Sequence, residues 1–457
     1  MSHRTTILAA TAVTATALAA LTGAAAQAAP TKASTAARAM NTPFVGAQGT
    51  YRHVTPARIL DTRSGNGAPQ GLVGAGREVS VLVAGRGGIP GGVSAVVLNI
   101  TAVTPSTNTF LTAYPSGTTR PSTSSLNVAA RTNRANLVTV PVGSDGRVRI
   151  YNSTGTTHIL ADVVGAYHGV ASPTTGVGSQ YYTVEPERFY DSRQDGGAYV
   201  AGEWVSVWAD WGAGVNEKVT AYAANITVLQ GTSSGYVAAG PTSNPSTSTV
   251  NYGKNQVIAN MSVVPSSMVE GFPGFYVINR GPGSVQIIVD VVGIYTTEGG
   301  DGLRFRSLPP RRIVDTRSGI GGNATPIGAN VARQYAAPPE VAGDATYTLV
   351  ANTTIARPTA ATYVTTYSND IPKPGVSNLN AAAGETSANS TFVGLGAGNL
   401  FRIHNAAGQA PVIMDVMGSF ELFAAPPASP SPQGAPARQT GSAATSHTPN
   451  GFHGSRG

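Results

Sequence analysis

One phrase occurs three times in this chain and limits what it can fold into. It reads PARILDTRSG at residues 56–65, PERFYDSRQD at 186–195 and PRRIVDTRSG at 310–319. A second phrase closes each copy: ILADVVGAY (159–167), IIVDVVGIY (287–295) and VIMDVMGSF (412–420). The first Asp and the second stand 101, 99 and 100 residues apart (Asp61 to Asp162, Asp191 to Asp290, Asp315 to Asp415), a spacing too regular for chance. Between them every copy holds an Asn in an apolar run (Asn99, Asn225, Asn352) and two more Asn nine residues apart: Asn127/Asn136, Asn251/Asn260 and Asn380/Asn389. A unit of roughly 115 to 130 residues is domain-sized, longer than a propeller blade or solenoid turn, so each copy is expected to have its own core.

The first copy contains about eight short Val-, Ile-, Thr- and Tyr-rich runs separated by Gly, Pro, Ser or Asn. Gly contributes 55 residues and Pro 31, while charged residues make up only 11% of the 457, which argues against helical bundles. No stretch alternates strands with amphipathic helices. The expected fold is therefore all-β: three tandem β-sandwich domains of jelly-roll or Greek-key type over 51–168, 181–296 and 303–422. Without cysteine there are no disulfide staples, and burial alone must hold each domain. Short flexible linkers at 169–180 and 296–302 imply relative motion between the domains.

The ends read differently. A basic start (His3, Arg4), an apolar run from Ile7 to Leu21 and the small residues around Ala26–Ala28 form an expected signal peptide over 1–29, so the mature chain is expected to be secreted. Residues 30–50 read as a linker, and the Ala/Pro/Ser-rich stretch 423–457 as a disordered tail. No further apolar run of about 20 residues suggests a membrane span. The net charge of +7 lies mostly at the ends: five of the 29 basic residues fall outside 51–422, leaving 24 bases against 22 acids within it. So balanced a body gives no reason to expect a nucleic-acid partner.

The paired end-motifs resemble the repeat of about 120 residues, from "DTR" to "DVVG(Y/F)", of secreted actinobacterial proteins. The resemblance covers residues 51–422; Ser192 and the Trp-rich strand of copy two, and Met417 of copy three, depart from its pattern. It implies an accessory module found alone or beside hydrolases, with no generally established catalytic residues.

Two Arg and two Asp recur in each copy: Arg58, Asp61, Arg63 and Asp162; Arg188, Asp191, Arg193 and Asp290; Arg312, Asp315, Arg317 and Asp415. The second Asp lies within an apolar strand, where a lone carboxylate would cost several kcal/mol to desolvate. A bidentate guanidinium from the first motif is the simplest partner, giving a structural charge latch between first and last strand. The recurrent Asn are expected to satisfy turn backbone groups.

Catalytic and metal-binding patterns are missing: no His pair has zinc spacing, no thiolate exists, and no Gly-x-Ser-x-Gly elbow with a following acid and His is set in a strand-to-helix context. Neither cofactor nor metal is expected. All three Trp fall in one strand of copy two, Trp204, Trp208 and Trp211. Aligned on Gly76, Gly202 and Gly328, Trp204 and Trp208 stand opposite mostly polar residues, which places them on the outer face with Val205 and Val207 inward; Trp204, Trp208 and Trp211 together are the candidate ligand platform. The sequence thus points to a secreted, non-catalytic binding, adhesion or structural module, its partner a polysaccharide or cell-wall surface. The alternative is an extracellular hydrolase or protease inhibitor with an unrecognised loop site.

Overall fold

The eight Val-, Ile- and Thr-rich runs of the first copy become eight strands, ended by turns whose glycines take positive φ (Gly76 at 69°, Gly92 at 73°, Gly146 at 72°). They are β1 (Tyr51–Asp61), β2 (Arg77–Leu82), β3 (Val93–Val103), β4 (Thr109–Pro115), β5 (Leu126–Val128), β6 (Arg134–Pro141), β7 (Arg147–Asn152) and β8 (His158–His168). In this computed structural model, which describes residues 44–172, 178–297, 302–422 and 451–456, they pair antiparallel as two sheets, β1-β8-β3-β6 and β2-β7-β4-β5. That order is a jelly roll. The second and third copies repeat that order, the second adding one short strand, Ser267–Val269, beside Phe272–Asn279, so the fold is all-β.

Burial separates the two sheets. In the outer sheet β7 alternates between half-buried and buried, with Val148 and Ile150 on the core and Arg147, Arg149 and Tyr151 facing out. In the inner sheet β3 and β8 are buried at nearly every position. Val96, Leu98 and Ile100 enter the first copy's own core, whereas Ala95 and Val97, on the opposite face, enter a fourth core shared by all three copies. Each sandwich has a private core, and the three inner sheets also pack on one another around a common centre.

That centre is cyclic. The aromatic at the start of each copy packs against the closing aromatic of the next: Tyr51 on Tyr295, Tyr181 on Phe420 and Phe305 on Tyr167, with centroids 4.5, 4.2 and 4.1 Å apart. Tyr51 and Tyr181 also donate their hydroxyls to Val164 O and Val292 O at 3.0 and 2.9 Å. These rings lie flat over Gly165, Gly293 and Gly418, where a β-carbon would overlap them, which explains the glycine of the closing phrase.

The recurrent asparagines close the same circle. Asn99, Asn225 and Asn352 donate to the carbonyls of Ser248, Ser377 and Ser124 in the neighbouring copy, at 2.6, 2.7 and 2.6 Å. Asn260, Asn389 and Asn136 donate to the side-chain oxygens of Asn99, Asn225 and Asn352 at 3.0, 2.8 and 2.9 Å. They in turn accept from the amides of Leu137, Met261 and Ser390, again in a neighbour. Asn136, Asn260 and Asn389 also donate to backbone carbonyls of their own copy, Ser125, Thr249 and Asn378, so the expected backbone-satisfying role holds and an interface role is added to it. A heterologous contact repeated with the same rotation closes into a ring; here one chain supplies all three members.

Several expectations therefore change. The copies are not loosely linked, because four kinds of contact join each to the next. Part of the 30–50 linker is built in: Phe305 donates its amide to Gly49 O at 2.8 Å, and Arg304 donates to Gly46 O at 2.6 Å. This repeats, at the closing junction, the Tyr51–Ser179 and Tyr181–Leu303 bridges of the other two. Within the expected tail, Gly451–Arg456 is a strand paired with Trp204–Asp210. Residues 1–43, which include the expected signal peptide, and 423–450 lie outside the described residues. The closing junction also carries Arg134, its side chain only 6% exposed, held by Glu385 at 2.7 Å and by Ser387.

Asn389→Ala would orphan the Met261 amide and the Asn225 side chain in a dry interface, and should lower unfolding free energy by about 2 to 4 kcal/mol in urea titrations. Asn127, whose amide reaches only its neighbour Ser124, should cost under about 1 kcal/mol when replaced by Ala. Equal losses would contradict the ring.

Candidate functional site

The four recurring charges of each copy lie together at one end of the inner sheet, where β1 or its counterpart meets the last strand. Arg58 and Asp162 are direct cross-strand neighbours, as are Arg188 and Asp290, and Arg312 and Asp415. Arg58 grips Asp162 with two bonds, Nε–Oδ1 2.8 Å and Nη2–Oδ2 3.0 Å; Arg188 and Arg312 do the same to Asp290 (2.8 and 3.4 Å) and Asp415 (2.8 and 3.2 Å). The third guanidinium nitrogen reaches the other carboxylate, Asp61, Asp191 or Asp315, at 3.5, 3.4 and 3.2 Å. That carboxylate takes two bonds from Arg63, Arg193 or Arg317, and one more from the same residue's backbone amide. The arrangement is one chain of charges, Asp–Arg–Asp–Arg, running from buried strand to solvent.

Depth sets the protonation. The Arg63 hydrogen bonds hold Asp61 down to about 2 against the burial that opposes them. Arg317 bonding likewise lowers Asp315; at Asp191 burial pushes upward but Arg193 outweighs it. At the inner position burial prevails: it pushes Asp290 up to about 6 despite Arg188, and raises Asp415 against Arg312. Each inner Asp is also the register neighbour of an interface Asn: Asp162 of Asn99, Asp290 of Asn225, Asp415 of Asn352. With every carboxylate committed to a guanidinium, the cluster clasps strands and leaves no free acid–base pair. Among the described residues no group of three or more His, Asp or Glu is placed to hold a metal ion.

The tryptophans divide. Trp211 is buried in the second copy's core, donating its indole N–H to Tyr222 Oη at 2.8 Å, so it does not belong to a surface platform. Trp204 and Trp208 are half-buried on the outer face, with Val205 and Val207 fully inside. They are joined by two aromatics of the adjacent strand Phe272–Asn279: Trp204 meets Tyr276 edge to face at 5.1 Å, and Trp208 stacks on Phe272 at 4.9 Å with planes 7° apart. Trp204, Tyr276, Trp208 and Phe272 thus form one aromatic patch. Sequence reasoning missed Phe272 and Tyr276, which become neighbours only through pairing of the two strands.

The structure also corrects the alignment of this strand. Glu203 corresponds to Arg77 and Val331, so Trp204 matches Glu78 and Ala332, and Trp208 matches Leu82 and Ala336. The left-handed position before the strand is Gly76, Gly202 and, in copy three, Asn330 (φ 55°), two residues beyond Gly328. At the site of Tyr276 the other copies carry Arg149 and Arg402. The patch is peculiar to copy two.

Clefts lie where copies meet. One of about 330 Å³ between the first and second is lined by Arg131, Asn133, Tyr236, Asn251 and Gln256. Another of about 270 Å³, between the second and third, is lined by Tyr181, Glu185, Tyr347, Tyr367 and Phe392.

No protein-family model matches the chain, and no curated protein matches it. Two solved structures are similar in outline: one described as the triple jelly roll fold and turret assembly in an archaeal virus (8% identity, 82% of this chain and 90% of that one, TM-score 0.18), the other the atomic structure of Sulfolobus turreted icosahedral virus (8%, 82% and 91%, TM-score 0.19). Likeness this slight carries no weight for function.

Two substitutions should show opposite pH signatures. Asp61 is depressed in the folded state, so its contribution is present above about pH 4 and is lost as pH falls through about 2. The melting-temperature gap between wild type and Asp61→Asn should therefore shrink on acidification over that range. Asp290 is raised, so its contribution is present below about pH 4 and lost as pH rises through about 6; the gap to Asp290→Asn should shrink in the alkaline direction. Parallel pH profiles for the two gaps would contradict the assignment. Asp162→Asn in the whole chain should cost roughly 2 to 4 kcal/mol, by leaving Arg58 half-paired.

Proposed function

We propose that this chain is an exported, non-catalytic module that binds polysaccharide through the aromatic patch of its second copy. The patch itself carries the reading. Trp204, Tyr276, Trp208 and Phe272 offer an apolar surface edged by the Tyr276 hydroxyl, the combination that suits the C–H face of a sugar ring and its hydroxyls. Equivalent positions in the other copies hold Glu78, Arg149 and Leu82, or Ala332, Arg402 and Ala336, which have no such character. A three-copy ring is a rigid base for such a patch, and the charged clusters are consumed by the fold rather than aimed at a substrate. Export rests on the signal-like residues 1–29 and agrees with the resemblance to secreted repeat proteins.

Pulldown on insoluble glycans tests this. Wild type should be retained on at least one of cellulose, chitin or cell-wall polysaccharide, and Trp204→Ala/Trp208→Ala should lose roughly tenfold or more in affinity. Retention unchanged by the double substitution would overturn the patch as the binding surface. Turnover of a glycan, ester or peptide would overturn the non-catalytic reading.

A further inference from the structure

The three copies share an outer sheet whose first strand lies at an edge: β2, Trp204–Asp210 and Val331–Ala336. An open edge is a row of unpaired amides and carbonyls that invites another strand, and charges along it are the usual deterrent. β2 begins with exposed Arg77 and Glu78, and the third-copy strand carries Arg333 at its centre. Among the described residues each of these two pairs on one side only. Trp204–Asp210 has no charge before its last residue, and it alone carries an added strand: Gly451–Arg456, antiparallel, with Val205 opposite Arg456, Val207 opposite Gly454 and Ala209 opposite Phe452.

We propose that this edge is a strand-addition site whose occupant is the chain's own segment Gly451–Arg456, bound in cis, and that this pairing closes an edge its sequence leaves undefended. Chain length permits it. The 29 residue steps from Leu422 to Gly451 tether the segment to its own third copy, so it competes for the edge as an intramolecular ligand, at an effective concentration above that of a second copy in dilute solution. Proline placement agrees. Proline cannot donate to a ladder; six occur between 426 and 449, the last being Pro449, and none within the paired segment. The proposal does not depend on the polysaccharide reading.

Hydrogen exchange on the full chain tests it, comparing wild type with His453→Pro/Gly454→Pro. Adjacent prolines strike both faces of the strand, so at least one removes a ladder donor. The amides among residues 205–210 that face Gly451–Arg456 should exchange about tenfold or more faster in the variant, those that face Phe272–Asn279 and those of β2 and 331–336 should not change, and a synthetic peptide of residues 450–456 at millimolar concentration should restore protection. Equal exchange in the two proteins, or no rescue by the peptide, would overturn the site. Protection in wild type that weakens on dilution from about 100 to 1 μM would overturn cis occupancy and identify a second copy's segment as the occupant.

Discussion

Burial of the inner sheet on both faces is the constraint from which the remaining structure follows. A jelly roll needs only one apolar face per sheet, and the outer sheets obey that rule. The inner sheets do not: Leu98 points to a private core while Val97, one residue earlier, points to a core shared with two other copies. A copy alone would expose Tyr51, Val97, Leu137 and Tyr167 to water. Ring closure removes that exposure, and the closing phrase is the device that permits it. Its Asp fixes the first strand to the last, its Gly makes room for the ring that opens the same copy, and its final aromatic receives the ring of another copy.

The ion pairs and the interface are one system. Arg58, Asp162 and Asn99 stand side by side across three neighbouring strands, and Asn99 then reaches into the second copy. A buried carboxylate beside an interface amide explains why Asp290 and Asp415 are pushed upward where Asp61, Asp191 and Asp315 are pulled down. It also accounts for the same four charges recurring in all three copies: the guanidinium fork satisfies one carboxylate and part of the next, and exposure rises from the buried inner Asp through the part-buried inner Arg to the outermost Arg.

Much of this was legible before any coordinates. The all-β class, the eight strands of the first copy and the outward side of Trp204 follow from turn spacing and strand alternation. The ring does not, because periodicity shows that both faces of SAVVLNITAV are apolar without saying what covers the second one. Asn99 reads as a turn residue in isolation, since its partner lies 149 residues away. Trp211 looks like part of the surface cluster by proximity alone; standing three residues after Trp208, it has the inward parity of Val205, Val207 and Ala209 and is buried with them. The two-residue slip in aligning copy three was avoidable: Asn330 tolerates the left-handed backbone that Gly76 and Gly202 supply, and marks the same turn.

Whether the three copies are one folding unit is the central question, and differential scanning calorimetry of the whole chain answers it most directly. The ring requires a single endotherm with calorimetric and van't Hoff enthalpies in agreement, each near 0.7 kcal/mol per ordered residue at about 60 °C. Three separable transitions, each with a van't Hoff enthalpy matching one copy of about 120 residues, would contradict it.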